Sequence, residues 1–209
     1  MKFILQFIRI ILVTVSLIPI LSQANEPTLL ILGDSLSAAH GISLDSGWVN
    51  LLQKKIDDQH LAAKVINLSQ SGDTTQDGLK KLPIGLKKHH PKWVIIELGG
   101  NDGLRGLNIK QTEKNLETLI NMSQKNCSKV LLIGMTLPPN YGEVYITAFE
   151  NIYTRLADKF DLPLVPFLLD KVALDPKLMQ ADGIHPTAEA QPIILETVWD
   201  KIKGEQFLK

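Results

Sequence analysis

The chain has one cysteine, Cys127. An internal disulfide is thereby excluded, and so is any cysteine-based metal cluster. Cys127 stands just before the apolar run Lys129 to Met135, with nothing beside it in sequence to activate a thiolate, so a packed structural thiol is expected. An excess of one charge is missing too. Lys and Arg number 22 and Asp and Glu 22, so no basic field exists to attract nucleic acid. There is no internal repeat and no low-complexity linker. Long apolar runs are also absent. The longest, Ile10 to Leu21, is broken by Thr14, Ser16 and Pro19 and is too short to span a bilayer comfortably. It follows Lys2 and Arg9 and precedes Ser22-Gln23-Ala24. Residues 1–24 therefore read as a secretory signal peptide cleaved after Ala24, leaving no stable membrane insertion.

What remains, residues 25–209, is long enough for one domain with a sizeable core. A hydrophobic share of 44% argues against disorder. Short apolar runs at Thr28 to Leu32, Lys64 to Leu68, Trp93 to Leu98, Lys129 to Met135 and Leu164 to Phe167 predict five strands, with Pro166 marking the last as an edge. Between them, apolar residues at helical spacing predict helices over Trp48 to Gln59, Ile109 to Asn126, Val144 to Phe160 and about Thr187 to Lys203. A shorter helix is expected after the cap Asp73 or Thr74, interrupted at Pro83. Four glycines between Gly99 and Gly106 predict a mobile loop with little regular structure. Strands alternating with helices mean an α/β fold. A three-layer α/β/α sandwich around a parallel sheet of about five strands is the expected architecture.

On such a sheet, polar segments that follow strands meet at the carboxyl edge, where ligands bind. Gly33-Asp34-Ser35-Leu36 follows the first strand, Ser71-Gly72-Asp73-Thr74 the second and Gly100-Asn101-Asp102 the third. Taken singly, Ser35 could be a helix cap, Gly72 a turn glycine and Asn101 a loop amide. A serine nucleophile needs a base within hydrogen-bond reach. Of the five histidines, His60, His89 and His90 precede strands and belong to the opposite edge, while His40 lacks a carboxylate to orient it and suits a pocket wall. His185 follows the fifth strand, and Asp182 three residues earlier can accept from its Nδ1. The Nε2 atom would then face Ser35. The backbone N–H groups of Ser35 and Gly72 and the amide of Asn101 are the candidate oxyanion donors. The α/β-hydrolase elbow Gly-x-Ser-x-Gly is not met, because Ser37 occupies its last position.

These blocks, together with Asp182-Gly183-Ile184-His185-Pro186, resemble those of the SGNH (GDSL) hydrolases, on a flavodoxin-like fold. Asn101 to Leu107, Pro139-Asn140-Tyr141-Gly142 and Ala190-Gln191-Pro192 bring the chain nearer to one branch, the periplasmic multifunctional acyl-CoA thioesterase/protease/lysophospholipases and their arylesterase relatives. The resemblance implies Ser35 as nucleophile, Asp182 and His185 as its partners, and Ser35, Gly72 and Asn101 as the oxyanion hole. It also implies a substrate loop over Gly103, Leu104, Arg105, Gly106 and Leu107 that shifts when an acyl chain binds. The branch reads Ser-Ala-Gly-Tyr-Gly after the nucleophile, where this chain has Ser37-Ala38-Ala39-His40-Gly41.

The expectation is thus an exported, periplasmic serine hydrolase of acyl esters or thioesters, lysophospholipids among them, needing no metal or organic cofactor and binding no nucleic acid. The alternatives are a carbohydrate O-deacetylase, or a lipid- or glycan-binding protein on the same fold.

Overall fold

The computed structural model describes residues 26–209. The expected signal peptide, residues 1–24, lies outside the described residues. Five parallel strands form one sheet: β1 (Thr28–Gly33), β2 (Lys64–Asn67), β3 (Trp93–Glu97), β4 (Lys129–Ile133) and β5 (Leu164–Val165). Their spatial order is β2-β1-β3-β4-β5. The chain leaves β1 toward β2 on one side and returns to β3 on the other, so the order reverses at the carboxyl ends of β1 and β3. In open α/β sheets that reversal leaves a crevice for ligands.

The helices are α1 (Trp48–Asp58), α2 (Thr75–His89), α3 (Gly100–Leu104), α4 (Ile109–Lys125), α5 (Glu143–Phe160) and α6 (Gln191–Gly204). Alternation along the strands divides the core in two. Leu29 and Ile31 of β1, with Trp93 and Ile95 of β3, pack beneath Trp48, Leu52 and Ile56 of α1 and Ile194, Val198 and Trp199 of α6. Leu30 and Leu32, with Val94 and Ile96, face α2, α4 and α5 through Leu82, Leu116, Leu119, Phe149 and Tyr153. Because successive side chains point to opposite faces, two-sided burial requires these near-continuous apolar strands. The expected three-layer sandwich is what forms.

Three local expectations are corrected. α2 is not interrupted at Pro83. It runs through it, starting from a capping box between Thr74 and Asp77. Pro83 lies on the exposed face of the helix, where water can satisfy the carbonyl that loses its N–H partner. The glycine-rich stretch after β3 is partly ordered as α3, not a loop throughout. Cys127 is exposed, not packed, because it sits in a left-handed turn (φ 60°) that ends α4.

Candidate active site

β1 stops at Gly33, and a tight turn follows. The Ala38 N–H donates to the Asp34 carbonyl (3.0 Å), the His40 N–H to that of Ser35 (3.2 Å), and the Leu36 N–H to the Asp34 carboxylate (3.1 Å). Ser35 stands in this turn with 9% of its surface accessible. Its Oγ lies 2.9 Å from His185 Nε2, across a sequence separation of 150 residues. His185 Nδ1 lies 2.6 Å from Asp182 Oδ2. A carboxylate only accepts, so Nδ1 carries the hydrogen and Nε2 is left to accept from the serine hydroxyl. Asp182 is fixed in turn. Its Oδ1 accepts the N–H groups of Ile184 (2.9 Å) and His185 (3.0 Å). The His185 N–H, its imidazole and the Ile184 N–H hold the Asp182 carboxyl well below the usual carboxylate range. The segment is closed like a clasp. Met179 and Pro186 form an antiparallel bridge, the Gln180 N–H donates to the His185 carbonyl (2.7 Å), and Gly183 takes the left-handed φ of 68° that the turn requires.

Gly72 follows β2 with φ 86°. No acceptor among the described residues takes the backbone N–H of Ser35 or of Gly72. The Gly72 carbonyl accepts from Arg105 Nη2 (2.9 Å). Asn101, in the first turn of α3, donates from Nδ2 to Asp34 Oδ2 (3.1 Å) and to the Asp73 carbonyl (3.0 Å). The three segments after β1, β2 and β3 therefore converge as their topology dictates. A serine, an oriented imidazole and several N–H donors share one edge of the sheet, a constellation suited to acyl transfer.

The expected substrate loop is less uniform than its glycines suggest. Gly103 is buried, and a Cβ there would meet Leu137 at 2.7 Å and Phe149 at 3.0 Å, so this glycine serves packing. Leu104 is tied by its carbonyl to the Tyr141 hydroxyl (2.8 Å). Gly106 has φ 65° and open space around it, and the N–H groups of Arg105, Gly106 and Leu107 fold the turn back onto α3. His40 lies against the site: its ring centroid is 4.3 Å from that of His185, and its Nδ1 is 3.2 Å from the Ser71 hydroxyl. His60, His89 and His90 stay away, at helix ends before β2 and β3, and the Asp57 carboxylate binds Gln53 rather than His60. Sequence reasoning missed Glu97. It is fully buried, and its Oε2 accepts the Asp34 N–H (3.1 Å) and the Ser37 hydroxyl (2.5 Å). The available signal was an acid closing an otherwise apolar strand.

A family model described as GDSL-like Lipase/Acylhydrolase matches residues 31–192. Esterase TesA of Pseudomonas aeruginosa is 47% identical over 188 residues, covering 90% of this chain and 94% of that protein. The Thioesterase 1/protease 1/lysophospholipase L1 of Escherichia coli K12 is 48% identical over 173 residues, covering 83% and 82% of the two. A crystal structure of TesA superposes with a TM-score of 0.83 at 48% identity, covering 85% of this chain and 98% of that one. The match of a family model to most of the chain, with identity near one half to relatives of similar length, shows that this protein belongs to the GDSL-like lipase/acylhydrolase family.

Proposed function

We propose that the chain hydrolyses acyl esters and thioesters through a covalent acyl-Ser35 intermediate. Membership in an acylhydrolase family makes it an ester hydrolase acting on small-molecule esters. The observation that carries the mechanism is the hydrogen-bonded series Ser35, His185, Asp182. His185 Nε2 takes the hydroxyl proton as Ser35 Oγ attacks the carbonyl carbon. Asp182 stabilises the imidazolium that forms and keeps its tautomer. The tetrahedral oxyanion is received by the N–H groups of Ser35 and Gly72, and by Asn101 Nδ2, one of whose hydrogens is then shared in a three-centre bond. The imidazolium protonates the leaving alcohol or thiol. A water molecule, deprotonated by His185, then releases the acid.

Lysophospholipids fit the reading because an acyl chain can lie along the Arg105 to Leu107 turn, where Leu107 is exposed. The signal-like residues 1–24 support export to the periplasm. Among the described residues, no helix is long and apolar enough to cross a membrane.

The test is hydrolysis of p-nitrophenyl esters from C2 to C16 by residues 25–209, beside Ser35→Ala. Loss of about 10³-fold or more in kcat is expected for the variant, as when other triads lose their nucleophile. A purified Ser35→Ala protein with near-native turnover would refute the mechanism. Cleavage of acetate esters alone would point to a deacetylase.

A further inference from the structure

Glu97 closes β3 in register with Gly33, the last residue of β1. Its carboxyl fills the space a side chain at position 33 would need: a Cβ there would lie 2.3 Å from Glu97 Oε2. Through that oxygen it holds the Asp34 N–H and the Ser37 hydroxyl, gripping the turn on both sides of Ser35. Its other oxygen, Oε1, is buried without a hydrogen-bond partner among the described residues. Asp34 extends the grip. Its Oδ1 accepts the Leu36 N–H and its Oδ2 the Asn101 amide.

We propose that Glu97, as a neutral carboxylic acid, is a positioning residue that fixes Ser35 directly and the Asn101 amide by way of Asp34. The inference rests on the roles given above to Ser35 and Asn101. An orphaned buried oxygen is costly on an anion and cheaper on a neutral acid. Two buried carboxyls this close in one turn do not both carry charge. Burial, then the nearby Asp34 charge, pushes Glu97 well above the usual carboxylate range. Burial also pushes Asp34 up to about 6, against the lowering effect of the Leu36 N–H, so near neutral pH Glu97 keeps the proton and Asp34 the charge. The other titratable groups facing the pair are His185 of the clasp, whose charge lowers Asp34, and Tyr153 of α5, which burial and then the charges of Asp102 of α3, Asp34 and Glu97 push up. Neutrality has a catalytic reason. A second negative charge beneath the developing oxyanion would oppose the charge that the hole must stabilise.

The test compares kcat and KM at neutral pH for Glu97→Gln, Glu97→Met and Asp34→Asn, with thermal melts to confirm folding. Gln keeps an oxygen for the Asp34 N–H and the Ser37 hydroxyl and stays uncharged. Its kcat is expected within about threefold of wild type, since the hydrogen bonds are replaced rather than lost. Met fills the space and makes none of them, so kcat should fall about 30- to 100-fold at near-constant KM, approaching the loss of an oxyanion donor. Asp34→Asn turns an amide N–H toward Asn101 and should give a similar kcat loss, which keeps the test decisive if the Met variant fails to fold. A folded Glu97→Met enzyme with native kcat, an effect confined to KM, or a Gln variant as slow as Met would each overturn the inference. Activity in Ser35→Ala is a separate failure, of the mechanism itself.

Discussion

At the scale of single residues, the site depends on a few side chains held by others. Asn101 illustrates this. Its nitrogen is anchored by Asp34 and Asp73 before any substrate arrives. Asn101→Ala should therefore lower kcat by about 10²-fold with little change in KM, because the amide serves charge that exists only in the transition state. Steady-state kinetics on one ester decides it, and a defect seated in KM would remove Asn101 from the oxyanion hole. Ala39 is a second case. It adopts φ 56° in the turn after Ser35, a conformation that favours glycine. A left-handed alanine costs about 1–2 kcal/mol, partly offset in Ala39→Gly by the freer unfolded chain, so this change should stabilise the protein by about 0.5–1 kcal/mol in urea unfolding. Lower stability would show that the Ala39 Cβ, which packs closely on Gly47, outweighs the strain. The hydrogen-bonded series of Ser35, His185 and Asp182 was legible in sequence because Ser35 and His185 follow strands, and strand order fixes their edge. Glu97 was not, since a carboxyl beneath a turn is recognised only through the partners that surround it.

At the scale of elements, α1 lacks a capping side chain of its own because Gly47 is its N-cap. The cap comes from α6. Gln191, 1% exposed, accepts the Trp48 N–H at 3.0 Å through its side-chain carbonyl. Gln191→Ala leaves that donor buried and should destabilise the protein by about 1–3 kcal/mol, with kcat per folded molecule preserved. Chemical denaturation measures the first and active-site titration the second. A neutral Gln191→Ala would mean that water replaces the side chain. Both helices were readable from apolar spacing, but their joint cap was not, since it bridges residues 143 apart. Propensity also misjudged α2 and α3. Pro83 is tolerated on a solvent face, and the glycines of α3 fit because Leu137 and Phe149 leave Gly103 no room for a side chain. In each case tertiary surroundings overrode a local preference.

At the scale of the whole molecule, the buried acids link stability to pH. Glu97 has a raised folded pKa, so the native state holds a proton that the unfolded chain releases above about 4.5. Its contribution is complete below that value and is lost as pH rises toward the folded pKa, by up to about 1.4 kcal/mol per pH unit. Glu97→Gln lacks this term. Its melting temperature relative to wild type should therefore climb as pH rises above about 4.5, and a constant difference would show that Glu97 is ionised in the fold. The order of the chain has a consequence of another kind. The serine stands near one end of the described residues, and the histidine 150 residues later, on a clasp followed directly by α6. On the proposed mechanism, a growing chain synthesises its nucleophile first and its base last. Throughout translation it carries a serine with no proton acceptor, and it becomes a hydrolase only when its final segments dock. Turnover thus reports completion of the fold.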